Sequence, residues 1–128
     1  MNRGLADTSV FIAAESGRAL DIASLPESLA VSAITVGELR AGVLGASDVA
    51  TRDRRLRTLT RVLDLDPLPV DEQVAEAWAT LRITLRDAGL RMPVNDSWIA
   101  ATAIAHDLAL VTQDDDHLSI SGLEIIRV

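Results

Sequence analysis

Residues 4–13 read Gly-Leu-Ala-Asp-Thr-Ser-Val-Phe-Ile-Ala, and the hydrophobic period changes inside them. A short apolar run over 4–7 has the character of a strand, and from Thr8 onward apolar residues return at helical spacing. A strand that runs into a helix through a single Asp opens an α/β unit. The alternation continues down the chain, with strands predicted near 29–34, 65–70, 108–112 and 124–128. Between them, a short helix or turn reaches Leu25. Longer helices follow Thr35 as N-cap, follow Asp48, run from Asp71 to Gly89, and run from Asn95 or Asp96 to His106. In the helix after Asp48, Val49, Leu56, Leu59 and Leu63 are expected on the packed side. Arg54, Arg57 and Arg61 fall on the opposite side. This is the pattern of an α/β domain around a parallel sheet.

Composition narrows the function. The 128 residues fit a single domain large enough for its own core. Cysteine is absent, which excludes thiol nucleophiles, Cys-ligated zinc and iron–sulfur clusters, and suits a reducing cytoplasm. No run is long enough for a secretory leader or a membrane span, so a cytoplasmic protein without a membrane role is expected. The net charge of −7 has the wrong sign for holding nucleic acid by bulk attraction to phosphates. A nucleic-acid partner would therefore need a local basic patch or a bound cation. All 12 basic residues are Arg, so chemistry that depends on lysine is excluded. This removes the phosphoacceptor receiver domain and the haloacid-dehalogenase-type phosphatase, both of which pair a strand-end Asp with a Lys. The metal-dependent adhesion motif Asp-x-Ser-x-Ser fails at Phe11.

The acids then sort themselves. In an open parallel sheet, ligands bind beyond the carboxyl ends of the strands, where the following helices begin. Asp7 ends the first strand, Glu38 lies early in the helix after the second, and Asp114 follows the fourth. Asp96 opens the helix that descends toward that fourth strand. The topology thus predicts carboxylates from distant segments on one edge, with Asp71, Glu72, Asp115 and Asp116 as reserves. Gathering them is costly without a counter-charge. Hard oxygen ligands without nearby His or Cys suit Mg²⁺ or Mn²⁺, which bridge readily to phosphate oxygens. The Arg54, Arg57 and Arg61 face is either a solvated surface or a stripe that contacts phosphate or a partner.

The segments ADTSVFIA with Asp7, VSAITVGELRAGV with Glu38, VNDSWIAATAIAHDLALVTQDDDHL with Asp96 and Asp114, and LEIIRV resemble the PIN-domain ribonucleases, in particular the VapC-type toxins of bacterial toxin–antitoxin pairs. They span nearly the whole chain in the family's order. The resemblance implies one PIN domain over 1–128, folded as a three-layer α/β/α sandwich around a central parallel sheet of four to five strands. It implies a metal-dependent endoribonuclease with Asp7, Glu38, Asp96 and Asp114 as catalytic residues and ligands of Mg²⁺ or Mn²⁺. Thr8, Ser9 and Thr112 match small hydroxyl positions that support the acids or contact substrate phosphate. Trp98 replaces a smaller residue, and the acidic run leaves the fourth ligand open between Asp114 and Asp116, with Asp114 taken as the ligand and Asp116 as an assisting group. Also implied are an RNA substrate of the tRNA or rRNA class, a homodimer, and a cognate antitoxin that neutralises the toxin. A PIN domain that binds RNA or antitoxin without cutting, or one directed at DNA, is the alternative.

Overall fold

The computed structural model describes residues 2–115 and 120–128. In chain order it contains β1 (Arg3–Ala6), α1 (Thr8–Glu15), a 3-10 turn (Ile22–Ser24), β2 (Ser28–Ala30), α2 (Ala33–Leu44), α3 (Val49–Leu63), α4 (Glu72–Asp87), α5 (Val94–Ala105), β3 (Ala109–Thr112) and β4 (Ile125–Arg127). Among the described residues the strands form one sheet in the order β2-β1-β3-β4, and every pair is parallel. Leu5 lies opposite both Ala30 and Leu110, and Leu110 opposite Ile125.

Side-chain alternation along the strands builds three layers. Leu5 and Leu110 pack with Ile99 and Ala103 of α5 on one face. Their neighbours Ala6 and Val111 pack with Val10 of α1 and with Val128 on the other. Both faces of β1 and β3 are covered, which is why these strands read as unbroken apolar runs rather than as an alternation. Gly4 is required by this packing: a Cβ there would stand 2.7 Å from Val111 Cγ2 and 2.9 Å from Pro26 Cγ. Outside the sheet, α2 meets α3 through Leu39, Val43, Leu59 and Val62. α4 meets α5 through Leu81, Leu85 and Ala100.

Three sequence expectations are corrected. The strand predicted at 65–70 is a single parallel bridge, Ser32 to Leu68. Leu68 N–H donates to Val31 O at 2.8 Å and Ala33 N–H to Leu68 O at 2.9 Å. Asp66 leaves the extended conformation with φ +51° just before the bridge, and Asp71 caps α4 just after it, so the ladder ends on both sides of Leu68. The N-cap of α2 is Ser32, whose hydroxyl accepts from Ile34 N–H at 3.1 Å, while Thr35 lies inside the first turn and is fully buried. The packed face of α3 is also rotated from the expected one. Leu59 and Val62 are buried, whereas Val49, Leu56 and Leu63 are 74%, 43% and 42% exposed. Leu59 and Val62 pack on Leu39 and Val43 of α2, and Arg55 on the same side donates from Nη1 to Gly42 O at 2.7 Å.

Candidate active site

At the carboxyl edge of the sheet, β1 gives way to α1 through Asp7. Its backbone N–H donates to Val111 O at 2.9 Å, and its carboxylate caps the helix by accepting from Ser9 N–H at 3.0 Å. Asp7 is only 8% exposed, so a charged group sits at the end of a buried strand. Ser9 Oγ also donates to the same Asp7 oxygen. With its single proton committed there, Ser9 Oγ acts as an acceptor for Gln113 N–H at 3.0 Å and lies 3.4 Å from Thr112 Oγ1. Thr112 Oγ1 in turn accepts from Asp114 N–H at 3.0 Å. One network therefore ties Asp7 to the turn after β3 where Asp114 sits, exposed at the surface.

A second network begins one residue along from Asp7. Thr8 Oγ1 donates to Glu38 Oε1 at 2.6 Å and stands 3.0 Å from Thr35 Oγ1. Since Thr8 has one proton and gives it to Glu38, Thr35 is the donor to Thr8. The other Glu38 oxygen accepts from Asn95 Nδ2 at 3.5 Å. Asn95 precedes Asp96, which lies exposed in the first turn of α5. The N-cap there is Pro93, with no side-chain cap bond, so the acid complements the positive end of the helix. Beside Glu38 a shallow hollow of about 470 Å³ is lined by Ile34, Gly37, Ala41 and Asn95.

Sequence-predicted positions thus come together in two hydroxyl-braced groups, Asp7 with Ser9, Thr112 and the backbone N–H of Asp114, and Glu38 with Thr8 and, through Asn95, the turn that carries Asp96. Among the described residues, no three acidic or histidine side chains stand close enough to hold a metal ion. Asp116 lies outside the described residues. Asp115 forms an ion pair with Arg127. The chemistry of the donor set, carboxylates and hydroxyls without sulfur or imidazole, fits a hard divalent cation.

The basic face of α3 has a different setting. Arg54 lies 3.8 Å from Glu15, at the far end of α1 from Asp7, roughly 12 Å along that helix. Arg57 reaches its own backbone at Asp53 O, 3.4 Å away, and Arg61 is exposed in the last turn. Trp98 stacks on Trp78 with ring centroids 4.3 Å apart. Sequence reasoning did not assign site roles to Thr35, Asn95 or Gln113. Thr35 carried a usable signal, since it stands three residues before Glu38 and so shares its helix face.

The PIN domain family model matches residues 5–123. Ribonuclease VapC5 of Mycobacterium tuberculosis is 50% identical over 128 residues, covering 98% of this chain and 95% of that protein. Ribonuclease VapC4 of the same organism is 48% identical over 128 residues, covering 100% and 98%. The crystal structure of VapBC-5 from M. tuberculosis, a member of the VapBC family of toxin–antitoxin systems, superposes with a TM-score of 0.89 at 45% identity over 98% of each chain. No helix among the described residues is long and apolar enough to cross a membrane. By the family match over most of its length and by its identity to these two ribonucleases, the chain belongs to the PIN-domain family, among the VapC-type members.

Proposed function

We propose that this chain, working as one domain over 1–128, is the endoribonuclease toxin of a toxin–antitoxin pair. It would cut single-stranded or structured RNA of the tRNA or rRNA class with the help of Mg²⁺ or Mn²⁺. The observation that carries this reading is the pair of hydroxyl-held carboxylates, Asp7 and Glu38, at the carboxyl edge of a parallel sheet. Asp7, Glu38 and Asp96 are the residues that would hold the cation, directly or through water. Asp114 would complete the set or orient the attacking water, with Asp116 assisting. When bound, a divalent cation neutralises phosphate charge and lowers the pKa of water.

The chain's own residues do the rest. Ser9 fixes one oxygen of Asp7, and Thr8 fixes one oxygen of Glu38, so each carboxylate keeps a set orientation. Pre-set donors of this kind avoid reorganisation when substrate arrives. Thr8 and Ser9 would also meet a scissile phosphate held at these acids, whereas Thr112 is fully buried and serves only to support them. In-line attack by water would leave 5′-phosphate and 3′-hydroxyl ends. Arrest of translation would follow from loss of the target RNA, and a cognate antitoxin and a homodimer are the partners expected.

The test compares cleavage of end-labelled single-stranded RNA and DNA of one sequence, in Mn²⁺ and in EDTA, by the wild type and by Asp7→Asn. RNA cleavage that is lost in EDTA and in the variant supports the reading. Undiminished cleavage by Asp7→Asn, or in EDTA, overturns the proposed site. Binding without cutting identifies the non-catalytic alternative.

A further inference from the structure

A second site lies where α4 meets the start of α5. A cavity of about 640 Å³ there is lined by Trp78, Arg82, Arg86, Arg91, Met92 and Ser97 among others, and among the described residues no carboxylate lines it. That is notable in a chain with 19 acids. The guanidinium of Arg82 lies over the Trp78 ring, 4.9 Å from its centroid. Trp78 is itself fixed, stacked on Trp98 with 1° between ring planes and donating from Nε1 to Ser97 Oγ at 2.9 Å. Ser97 Oγ then donates to Val94 O, which fastens the wall of the cavity to the first turn of α5. That turn carries Asp96.

The three arginines are exposed. Arg86 pairs with its neighbour Asp87 at 3.1 Å, an exposed contact of little energetic weight. Neither Arg82 nor Arg91 joins an ion pair among the described residues. Three guanidiniums over an apolar floor suit a phosphate chain whose sugars and bases need a non-polar surface. The arginines of α3 match this poorly, since Arg54 already has Glu15.

We propose that the Arg82, Arg86 and Arg91 cavity is a binding subsite for backbone phosphates of single-stranded RNA, guiding the strand past Asp96. This rests on the ribonuclease reading above. It also explains how a chain of net charge −7 attracts RNA at all: the cation-holding edge and this patch are local exceptions to its overall sign.

The test measures binding of a fluorescein-labelled single-stranded RNA to the Asp7→Asn protein between about 50 and 200 mM KCl. Adding Arg82→Gln and Arg91→Gln is expected to weaken binding about twenty-fold near 0.1 M salt, and to make the log–log salt slope shallower by about 1.4, that is about 0.7 for each phosphate contact. Arg82→Lys with Arg91→Lys should keep the slope. If the first pair disturbs the fold, Arg86→Gln with Arg91→Gln leaves the Trp78 stack untouched and should shift the slope likewise. An unchanged affinity and slope would overturn the subsite. So would unchanged RNA binding with loss of dimer or antitoxin binding, which would make the cavity a protein contact. Should the wild type neither bind nor cut RNA, the ribonuclease reading fails first and the subsite falls with it.

Discussion

Thr8 Oγ1 donates to Glu38 Oε1 at 2.6 Å, so the first turn of α1 holds an acid of α2 that is 30 positions away in sequence. Thr8→Val keeps the shape and removes the donor. A lost hydrogen bond to a metal-holding carboxylate typically costs ten- to a hundred-fold in affinity or activity. RNA cleavage by Thr8→Val should fall by roughly that factor, while Thr8→Ser stays near the wild type. Equal rates for Val and wild type would show that Glu38 needs no such support.

Ser9 is the hub between Asp7, Gln113 and Thr112. Ser9→Ala leaves the Gln113 N–H without its acceptor, while the Asp7 oxygen loses the hydroxyl and keeps the residue 9 N–H. The loss in unfolding free energy should be about 1–3 kcal/mol by urea titration, with cleavage reduced as well. A stability equal to the wild type would show that water replaces the hydroxyl at no cost.

At Gly4 the sheet has no room for a side chain, because Val111 and Pro26 occupy the space a Cβ would need. Gly4→Ala should destabilise by about 1–3 kcal/mol through overpacking. Cleavage per folded molecule should be unaffected, since the strain lies at the start of β1 and the acids lie beyond its end. A denaturation midpoint equal to the wild type would contradict this packing.

Asp48 caps α3, and its carboxyl is held below the usual 3.8, first by the Thr51 N–H and then by the Thr51 hydroxyl. A depressed folded value means that the stabilisation is fully present above the unfolded value and is lost as pH falls through the folded one. The thermal midpoint of Asp48→Ala should therefore lie below the wild type at neutral pH, and the gap should close as pH drops below about 3.8. A gap independent of pH would mean that the cap does not depend on charge.

The layer order was legible in the sequence for one physical reason: a strand followed by a helix fixes which end of the sheet a residue occupies. Asp7 follows β1 and Asp114 follows β3, as topology predicts, but among the described residues no three acids come within reach of one ion. What stayed hidden depends on rotation and on contact between distant elements. The seven-residue spacing of Val49, Leu56 and Leu63 looked like a core stripe, yet α3 turns Leu59 and Val62 inward against Leu39 and Val43 of α2. The apolar run at 65–70 resembled a strand, yet the positive φ of Asp66 and the helix cap at Asp71 leave only the bridge at Leu68. Trp78, Arg82 and Arg86 stand at i, i+4 and i+8 of α4, a spacing that the sequence carried but that gains its meaning only from the stack of Trp78 on Trp98 across the α4–α5 contact.

The claim that separate acids close around one divalent cation is tested most directly by anomalous diffraction from manganese-soaked crystals of the wild type and of Asp7→Asn. A single strong peak bounded by Asp7 and Asp96, and lost in the variant, is the predicted result. The wild type showing no peak among these side chains, or the variant showing one of equal height, would contradict it.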